Sequence, residues 1–142
     1  MRLTALLPLI ALTGCGVGVI TAPGTSRAPE QVVRVNGVPQ PVRLAGEVET
    51  TRQFVGLGTV PRHDLSLRVN GVQAIQGTLD TYGTTNLAGR AGELATSATC
   101  VSRELAKADR QFDCAVQVNG QSATTLSFRA SPSGPQQIVA SR

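Results

Sequence analysis

Residues 114–120 read Cys-Ala-Val-Gln-Val-Asn-Gly, and the same kind of phrase occurs twice earlier in the chain. Residues 65–71 read Leu-Ser-Leu-Arg-Val-Asn-Gly, and residues 32–37 read Val-Val-Arg-Val-Asn-Gly. Each copy is an alternating, strand-like run that ends in Asn-Gly. Asn and Gly tolerate the positive φ angles that tight hairpin turns require. The three copies therefore predict three antiparallel hairpins, and hence about six strands before any others are counted.

The alternation around each Asn-Gly pair also predicts a loop length. The expected turns are Asn36-Gly37, Asn70-Gly71 and Asn119-Gly120. In the third hairpin a two-residue loop would put Phe112 and Leu126 on opposite faces, whereas a three-residue loop puts them on one face and opposite each other. Leu65 and Ile75 behave in the same way in the second hairpin. Both hairpins are therefore expected to have a three-residue loop with a glycine bulge.

The first hairpin has a different pattern. Val33 and Val35 match the apolar residues after the turn best when the loop has two residues. Pro39 and Pro41 then lie in the return strand, and proline cannot donate a hydrogen bond to a sheet. That strand is expected to lie at an edge or to contain a bulge.

The rest of the chain supports an all-β fold. The sequence is 41% hydrophobic but only 3% aromatic, with no Trp, so the core must be mainly aliphatic. We predict an antiparallel sandwich or small barrel of about six to nine strands. Residues 102–109 are the one stretch where a short helix, capped by Ser102, competes with a turn or loop.

The N-terminal residues predict export. Residues 1–14 combine a short basic start with an apolar run that is too short for a permanent membrane span. Leu12-Thr13-Gly14-Cys15 follows, and it resembles the lipobox of bacterial lipoproteins. The resemblance covers only the first 15 residues. It implies removal of residues 1–14, transfer of diacylglycerol to the Cys15 thiol, and often acylation, for example with palmitate, of the new amine.

This resemblance implies a cell-envelope protein anchored in a membrane by lipid on Cys15. Several acyl chains together hold a protein stably, since each buried methylene contributes ~0.8 kcal/mol. Gly16 in place of Asp favours the outer over the inner membrane if the host is Gram-negative. Residues 15–30 are rich in Gly, Pro, Ser and Thr and are expected to form a flexible tether. Residues 31–130 are expected to form one β domain and residues 131–142 a tail.

Cys100 and Cys114 remain once Cys15 carries lipid. An oxidising compartment favours a disulfide between them, which would contribute about 2–4 kcal/mol. A metal site is not expected, because the only histidine in the sequence is His63. No cofactor is expected either.

The sequence offers little for catalysis. His63 and Asp64 adjoin, but neighbours on a strand point to opposite faces, so a catalytic pair is not expected and His63 is interpreted as a surface or turn residue. The chain has no Gly-x-Ser-x-Gly elbow, no His-Glu-x-x-His pair and no phosphate-binding loop. The protein is therefore predicted not to be an enzyme.

Two other groups of polar residues are candidate binding sites. Glu47 and Glu49 share one face of a strand and are interpreted as a solvated edge rather than paired catalytic carboxylates. Arg34 and Arg68 occupy matching places in two copies of the repeated phrase. Together with Tyr82 they are candidates for a binding face, but simple exposure on a sheet is the favoured interpretation.

Charge and composition restrict the partners. The net charge is +4 and the isoelectric point about 9.6, but the twelve arginines are scattered and aromatic residues are few, so nucleic-acid binding is not expected. We predict a non-enzymatic interaction or structural module that docks onto an envelope protein, for instance by strand addition at an open edge. The alternative is a carrier that holds a small apolar ligand inside a β-barrel.

Overall fold

The computed structural model describes residues 24–105, 109–131 and 134–135, and within them it contains only strands, turns and short connections. The all-β prediction is confirmed. In chain order the strands are β1 (Gly24–Val33), β2 (Val42–Val55), β3 (Gly58–Val69), β4 (Val72–Leu79), β5 (Thr84–Ala91), β6 (Leu94–Glu104), β7 (Arg110–Val118), β8 (Gln121–Ser131) and β9 (Gly134–Pro135).

The strands form two antiparallel sheets. The first has the order β1-β2-β3-β4, and the second has the order β5-β6-β7-β8, with the two-residue β9 beside β8. Strand β4 lies against β5 and β1 lies against β8, so the sheets approach each other along both sides. No backbone ladder joins the two sheets in the described part of the chain. The architecture is a two-sheet sandwich and not a closed barrel.

The core lies between the sheets and is mainly aliphatic, as the composition predicts. Alternate residues of the inner strands are buried, because successive side chains of a strand point to opposite faces. The largest side chains that are fully buried are Phe112, Phe128, Leu44, Leu65, Leu67, Ile75, Leu126, Val42, Val48, Val69, Val116 and Val118. The inward faces expected for the second and third hairpins are therefore confirmed.

Two glycines allow the sheets to pack this closely. Phe112 and Phe128 are cross-strand partners, and the Phe128 ring lies over Gly46 of the opposite sheet. A Cβ atom on Gly46 would lie 2.7 Å from Cζ of Phe128. At the seam between β4 and β5, a Cβ atom on Gly89 would overlap the carbonyl oxygen of Ala74. Glycine is required at both positions because a side chain would have no space there, and not because the backbone has a positive φ angle.

The third hairpin has the predicted faces but not the predicted loop. Val118 pairs with Gln121, so the loop contains only Asn119 and Gly120, whose φ angles of 51° and 77° are those of a type I′ turn. A bulge at Ala123 then shifts the register between Val116 and Gln117. The expected three-residue loop is wrong. The bulge, and not the turn, brings the apolar residues of both strands onto one face. As a result Phe112 pairs with Phe128 rather than with Leu126.

The second hairpin has the same construction. Asn70 and Gly71 form a two-residue turn with φ angles of 52° and 79°, and Val69 pairs with Val72. The extra residue here is Ala74, and as a result Ile75 faces Leu67 instead of the expected Leu65. In both hairpins the glycine bulge expected at the turn is replaced by an alanine bulge in the return strand.

The asparagines of these turns also form hydrogen bonds to the backbone of a neighbouring strand in their sheet. Asn70 donates its backbone N–H to the carbonyl of Arg43 at 2.8 Å and accepts the Arg43 N–H on Oδ1 at 2.9 Å. Asn119 makes the same two bonds to Ala95, at 2.7 and 3.0 Å. The repeated Asn-Gly thus satisfies backbone groups that would otherwise be left at the end of a strand.

The first hairpin does not have a two-residue connection. Val33 pairs with Val42, so residues 34–41 form the loop, and Asn36-Gly37 is a local turn within it, closed by a 3.1 Å bond from the Val38 N–H to the Val35 carbonyl. Both prolines precede β2, which is an inner strand. The expectation of an edge or bulged return strand is wrong. The edge is β1, and it carries the bulge between Ala28 and Gln31.

Three expected boundaries also change. Strand β1 begins at Gly24, inside the stretch expected to be a tether, because residues 24–28 pair with β2. Ser102–Glu104 belong to β6 rather than to a helix, since they pair with β7, and residues 106–108 lie outside the described residues. Strand β8 continues to Ser131. The signal peptide and Cys15 lie outside the described residues.

The predicted disulfide is present. Cys100 and Cys114 are directly opposed on β6 and β7, and both are buried. The bond closes a loop with a sequence separation of 14 residues, which in the chain-entropy account is worth about 3 kcal/mol. The described residues contain no helix of the length and apolarity that crossing a bilayer requires.

Candidate functional site

Strands β2 and β3 extend well beyond the described parts of their neighbours at one end of the sandwich. The pairing of β1 with β2 begins at Gly24, opposite Thr50, and the pairing of β3 with β4 ends at His63, opposite Leu79. The ladder between β2 and β3 nevertheless continues to Val55 and Gly58. Residues 51–62 therefore form a two-stranded arm, which we call the projecting hairpin.

The tip of the projecting hairpin is a tight turn. Gly56 and Leu57 are its two central residues, and only Gly56 has a positive φ angle, of 59°. Glycine with positive φ in the first central position is the signature of a type II′ turn, whose twist suits a hairpin. At ~3.3 Å per residue, the six residues from Thr51 to the turn carry the tip ~20 Å beyond the last residue of the neighbouring strands.

The tip carries apolar side chains that contact no core. Phe54 is 78% exposed, Val55 58% and Val60 46%, and Leu57 is fully exposed. Val55 and Val60 lie on one face, while Phe54 lies on the other and Leu57 stands at the turn. Single exposed apolar residues are ordinary, but four within residues 54–60 of one arm make the projecting hairpin the candidate interaction site.

Both edges of the projecting hairpin also lack a neighbouring strand among the residues that the structure describes. Unpaired N–H and C=O groups along such an edge can bond to another chain or to water. An edge of this kind can accept an added strand, which is the docking mode expected from the sequence. The corresponding edges of the sandwich body are less open, since β1 lies against β8 and β4 against β5.

The base of the projecting hairpin is fixed by His63. Its Nδ1 lies 2.9 Å from Oγ1 of Thr50, its cross-strand partner, and its ring centroid lies 4.8 Å from that of Phe112 in the other sheet. The side chain is only 3% exposed, so the expected surface or turn position is wrong. Asp64 points to the other face, as expected, and bonds to Arg62 and Thr78 there.

The environment of His63 disfavours its charged form. The pKa of the imidazole is lowered from 6.5 to about 4, mainly by burial and also by the positive charge of Arg110, against a smaller opposing effect of Asp64. Nε2 is buried and has no hydrogen-bond partner among the described residues. The ring is therefore neutral near pH 7. It packs as part of the core and joins the two strands at the root of the projecting hairpin.

We expect this buried imidazole to make stability depend on pH. Since the folded pKa lies below the unfolded value, the folded state is favoured in full above pH 6.5 and loses stability as the pH falls from 6.5 towards 4. The loss attributable to His63 should reach ~3 kcal/mol. Denaturant unfolding of the wild type and of His63→Gln at several pH values measures it. The difference between the two curves should change across this range, and parallel curves would contradict the assignment.

A second polar cluster lies at the same end of the sandwich. Arg110 is 9% exposed; its Nε donates to Oγ of Ser102 at 2.8 Å, and its guanidinium lies over the ring of Tyr82, 4.8 Å from the centroid. Ser102 in turn donates to the Thr81 carbonyl at 2.6 Å. Among the described residues no carboxylate forms an ion pair with Arg110. The cluster holds the turn of residues 80–83 on β6 and β7 and leaves Tyr82 largely exposed.

The other candidates from the sequence do not form a shared site. Glu47 forms an exposed ion pair with Arg27 at 2.7 Å, and Glu49 is exposed near it, on the same face, as expected. Arg68 lines a shallow depression of about 350 Å³ on the outer face of the first sheet, together with Arg27 and Glu47. Arg34 lies in the loop after β1 and does not line this depression. The described residues contain no group of three or more His, Cys, Asp or Glu that could hold a metal ion.

The projecting hairpin was not identified from the sequence, although signals for it are present. Phe54 and Val55 are adjacent apolar residues that break the alternation of β2, and Gly56-Leu57-Gly58 follows at once. The exposure of these residues depends on where the neighbouring strands end, and that is a tertiary property. No protein-family model, curated protein or solved structure matches this chain.

Proposed function

We propose that this chain is a lipid-anchored, non-enzymatic interaction module of a bacterial cell envelope. In this proposal Cys15 carries the lipid, and the sandwich stands in the periplasm or outside, on the outer membrane in a Gram-negative host. The projecting hairpin is the element that makes contact with another envelope component. The single observation that carries the proposal is the exposure of Phe54, Val55 and Leu57 on an arm that no other described element covers.

Two further observations favour a docking module over a carrier or an enzyme. A carrier needs an interior volume for its ligand, whereas the described interior is filled by large side chains, with Phe128 in contact range of Gly46. An enzyme needs a group of reactive side chains that converge in a cleft. His63, the most perturbed titratable residue described, is buried against Phe112, and Asp64 points away from it.

The anchor is tested by replacing the lipidated residue. Wild type made in its own host should fractionate with membranes and carry a diacylglyceryl mass on Cys15, and Cys15→Ser should be released into the soluble fraction. The remaining cysteines of the sequence, Cys100 and Cys114, are joined to each other and leave the interpretation unaffected. Membrane association that does not change in the Cys15→Ser protein would contradict the lipid anchor.

The contact element is tested by crosslinking from two matched turns. Gly56-Leu57 and Gly92-Glu93 are both two-residue hairpin turns with a glycine φ of 59°, but they lie at opposite ends of the sandwich. A photoreactive amino acid at Leu57 should crosslink to an envelope component in intact cells, and the same group at Glu93 should not. Equal yields at the two positions, or no product at Leu57, would contradict the proposal.

A further inference from the structure

The first described residue lies at the base of the projecting hairpin. Gly24, the first described residue, pairs with Thr50, the residue immediately before the hairpin. Cys15 is nine residues earlier in the sequence. Nine residues span at most ~32 Å, whatever conformation they adopt, and the tip reaches ~20 Å from the same point. A bilayer that holds lipid on Cys15 therefore lies within reach of the tip.

The chemistry of the projecting hairpin suits a bilayer surface. Residues 51–62 contain no acidic residue, and their two charged residues are Arg52 and Arg62, which lie in the half nearer the sandwich. The apolar residues occupy the outer half. Arg62 is paired with Asp64, so the match to the boundary between acyl chains and headgroups rests on the apolar tip and its lack of acidic residues.

A second exposed residue lies at the same end. Tyr82 is 83% exposed in the turn after β4, which ends beside the base of the projecting hairpin. Its ring is held by Arg110. Tyrosine is enriched where proteins meet the headgroup layer, because its ring is apolar and its hydroxyl is polar. By contrast, the three Asn-Gly turns lie at the end of the sandwich opposite to Gly24.

From these observations we propose that the projecting hairpin inserts its tip into the bilayer that holds the lipid of Cys15. The inference rests on the proposed lipid anchor and names the surface that the contact element meets. Insertion of this kind is driven by burial of Phe54, Val55 and Leu57, and so it depends little on salt, in contrast to binding by a basic patch. The protein is then held at two points, and the sandwich has a fixed orientation on the membrane.

Two valines provide a matched pair of probe sites. Val55 and Val72 are 58% and 54% exposed, and each lies beside the turn of a hairpin, but at opposite ends of the sandwich. In the lipidated full chain an added cysteine is the one free thiol, because Cys100 and Cys114 are joined and Cys15 carries lipid. Val55→Cys and Val72→Cys are each labelled with a polarity-sensitive fluorophore and reconstituted into phosphatidylcholine vesicles.

The label at position 55 should shift to the blue on reconstitution and be quenched by spin-labelled lipid, in low and in high salt. The label at position 72 should do neither. Adding Leu57→Asp should remove most of the shift at position 55, because a charge at the tip opposes insertion. The vesicle-bound fraction should stay unchanged in that variant, since Cys15 still carries its lipid.

Each other outcome overturns the inference and identifies the reason. If the protein carries no diacylglyceryl mass on Cys15, both the lipid anchor and the insertion of the tip are contradicted. If the label at position 55 has the emission of a fluorophore in water although Cys15 is fully lipidated, insertion of the tip is contradicted and the lipid anchor is not. A label that is water-like in pure lipid but shielded in native membranes means that an envelope protein covers the tip. A shielded label on Cys15→Ser protein with the mass of a dimer in detergent-free buffer means that a second copy covers it.

Discussion

Gly89→Ala should destabilise the sandwich by about 3–5 kcal/mol, enough to unfold much of a domain of ordinary stability. The added methyl group would overlap the carbonyl oxygen of Ala74, which belongs to the backbone of β4 and cannot rotate away. Ala74 is also the bulged residue of the second hairpin, so displacing it would disturb the register of Ile75 in the core. The expected measurement is a large fall in the denaturant midpoint with little change in the slope of the transition.

Gly58→Ala is the matched control for this prediction. Gly58 also lies in a strand, its φ angle is not positive, and a Cβ atom there meets nothing within 4 Å. Its unfolding free energy should stay within about 0.5 kcal/mol of the wild type, since surface substitutions without strain usually do. Equal effects at the two positions would mean that the close approach of β4 and β5 at Gly89 is not part of the folded state.

Phe128→Ala should cost about 3–5 kcal/mol, the range typical of truncating a buried aromatic residue. The Phe128 ring is fully buried, pairs with Phe112 across β7 and β8, and meets Gly46 from the opposite sheet. Truncation would therefore remove contacts on both sides of the sandwich at once. Equilibrium unfolding monitored by circular dichroism gives the value, and a loss below about 1 kcal/mol would contradict this packing.

The same residue should show a coupling that distinguishes packing from a general loss of stability. Gly46→Ala alone should cost about 1–3 kcal/mol, because the new methyl group would lie 2.7 Å from Cζ of Phe128 and 3.2 Å from Cδ1 of Leu126. When the ring is absent, that methyl group enters vacated space. The double variant should thus be more stable than the sum of the single effects indicates, by about 1 kcal/mol or more. Additive effects would show that the two residues do not meet.

The sequence was sufficient to predict the strand faces, but not how the chain achieves them. The alternation of Phe112, Cys114 and Val116 requires that a residue be added between β7 and β8, and it does not say where. The expectation placed that residue in the turn at Gly120, whereas the structure has it at Ala123 in the return strand. A turn bulge and a strand bulge restore the same parity, so periodicity alone cannot distinguish them.

The disulfide was predictable because few alternatives remained for Cys100 and Cys114. The candidate site was not. His63 was expected at the surface because nothing in its neighbourhood along the chain shows that Phe112 will cover it. The exposure of Phe54 and Leu57 depends likewise on which strands lie beside β2 and β3, and among the described residues none does so beyond Gly24 and Leu79. Both are consequences of strand lengths elsewhere in the chain, which residue patterns determine only loosely.

The order of the strands has a consequence for how the protein folds. In each sheet, every ladder among the described residues joins strands that follow one another along the chain. Such hairpins close quickly, in roughly 1–10 μs, because little loop entropy is lost. Each sheet can therefore form its strand pairs from local contacts, yet each meander alone exposes one apolar face. The rate-limiting event is expected to be the docking of the two meanders about residues 80–83, and until the second is complete the first is the species most prone to aggregate.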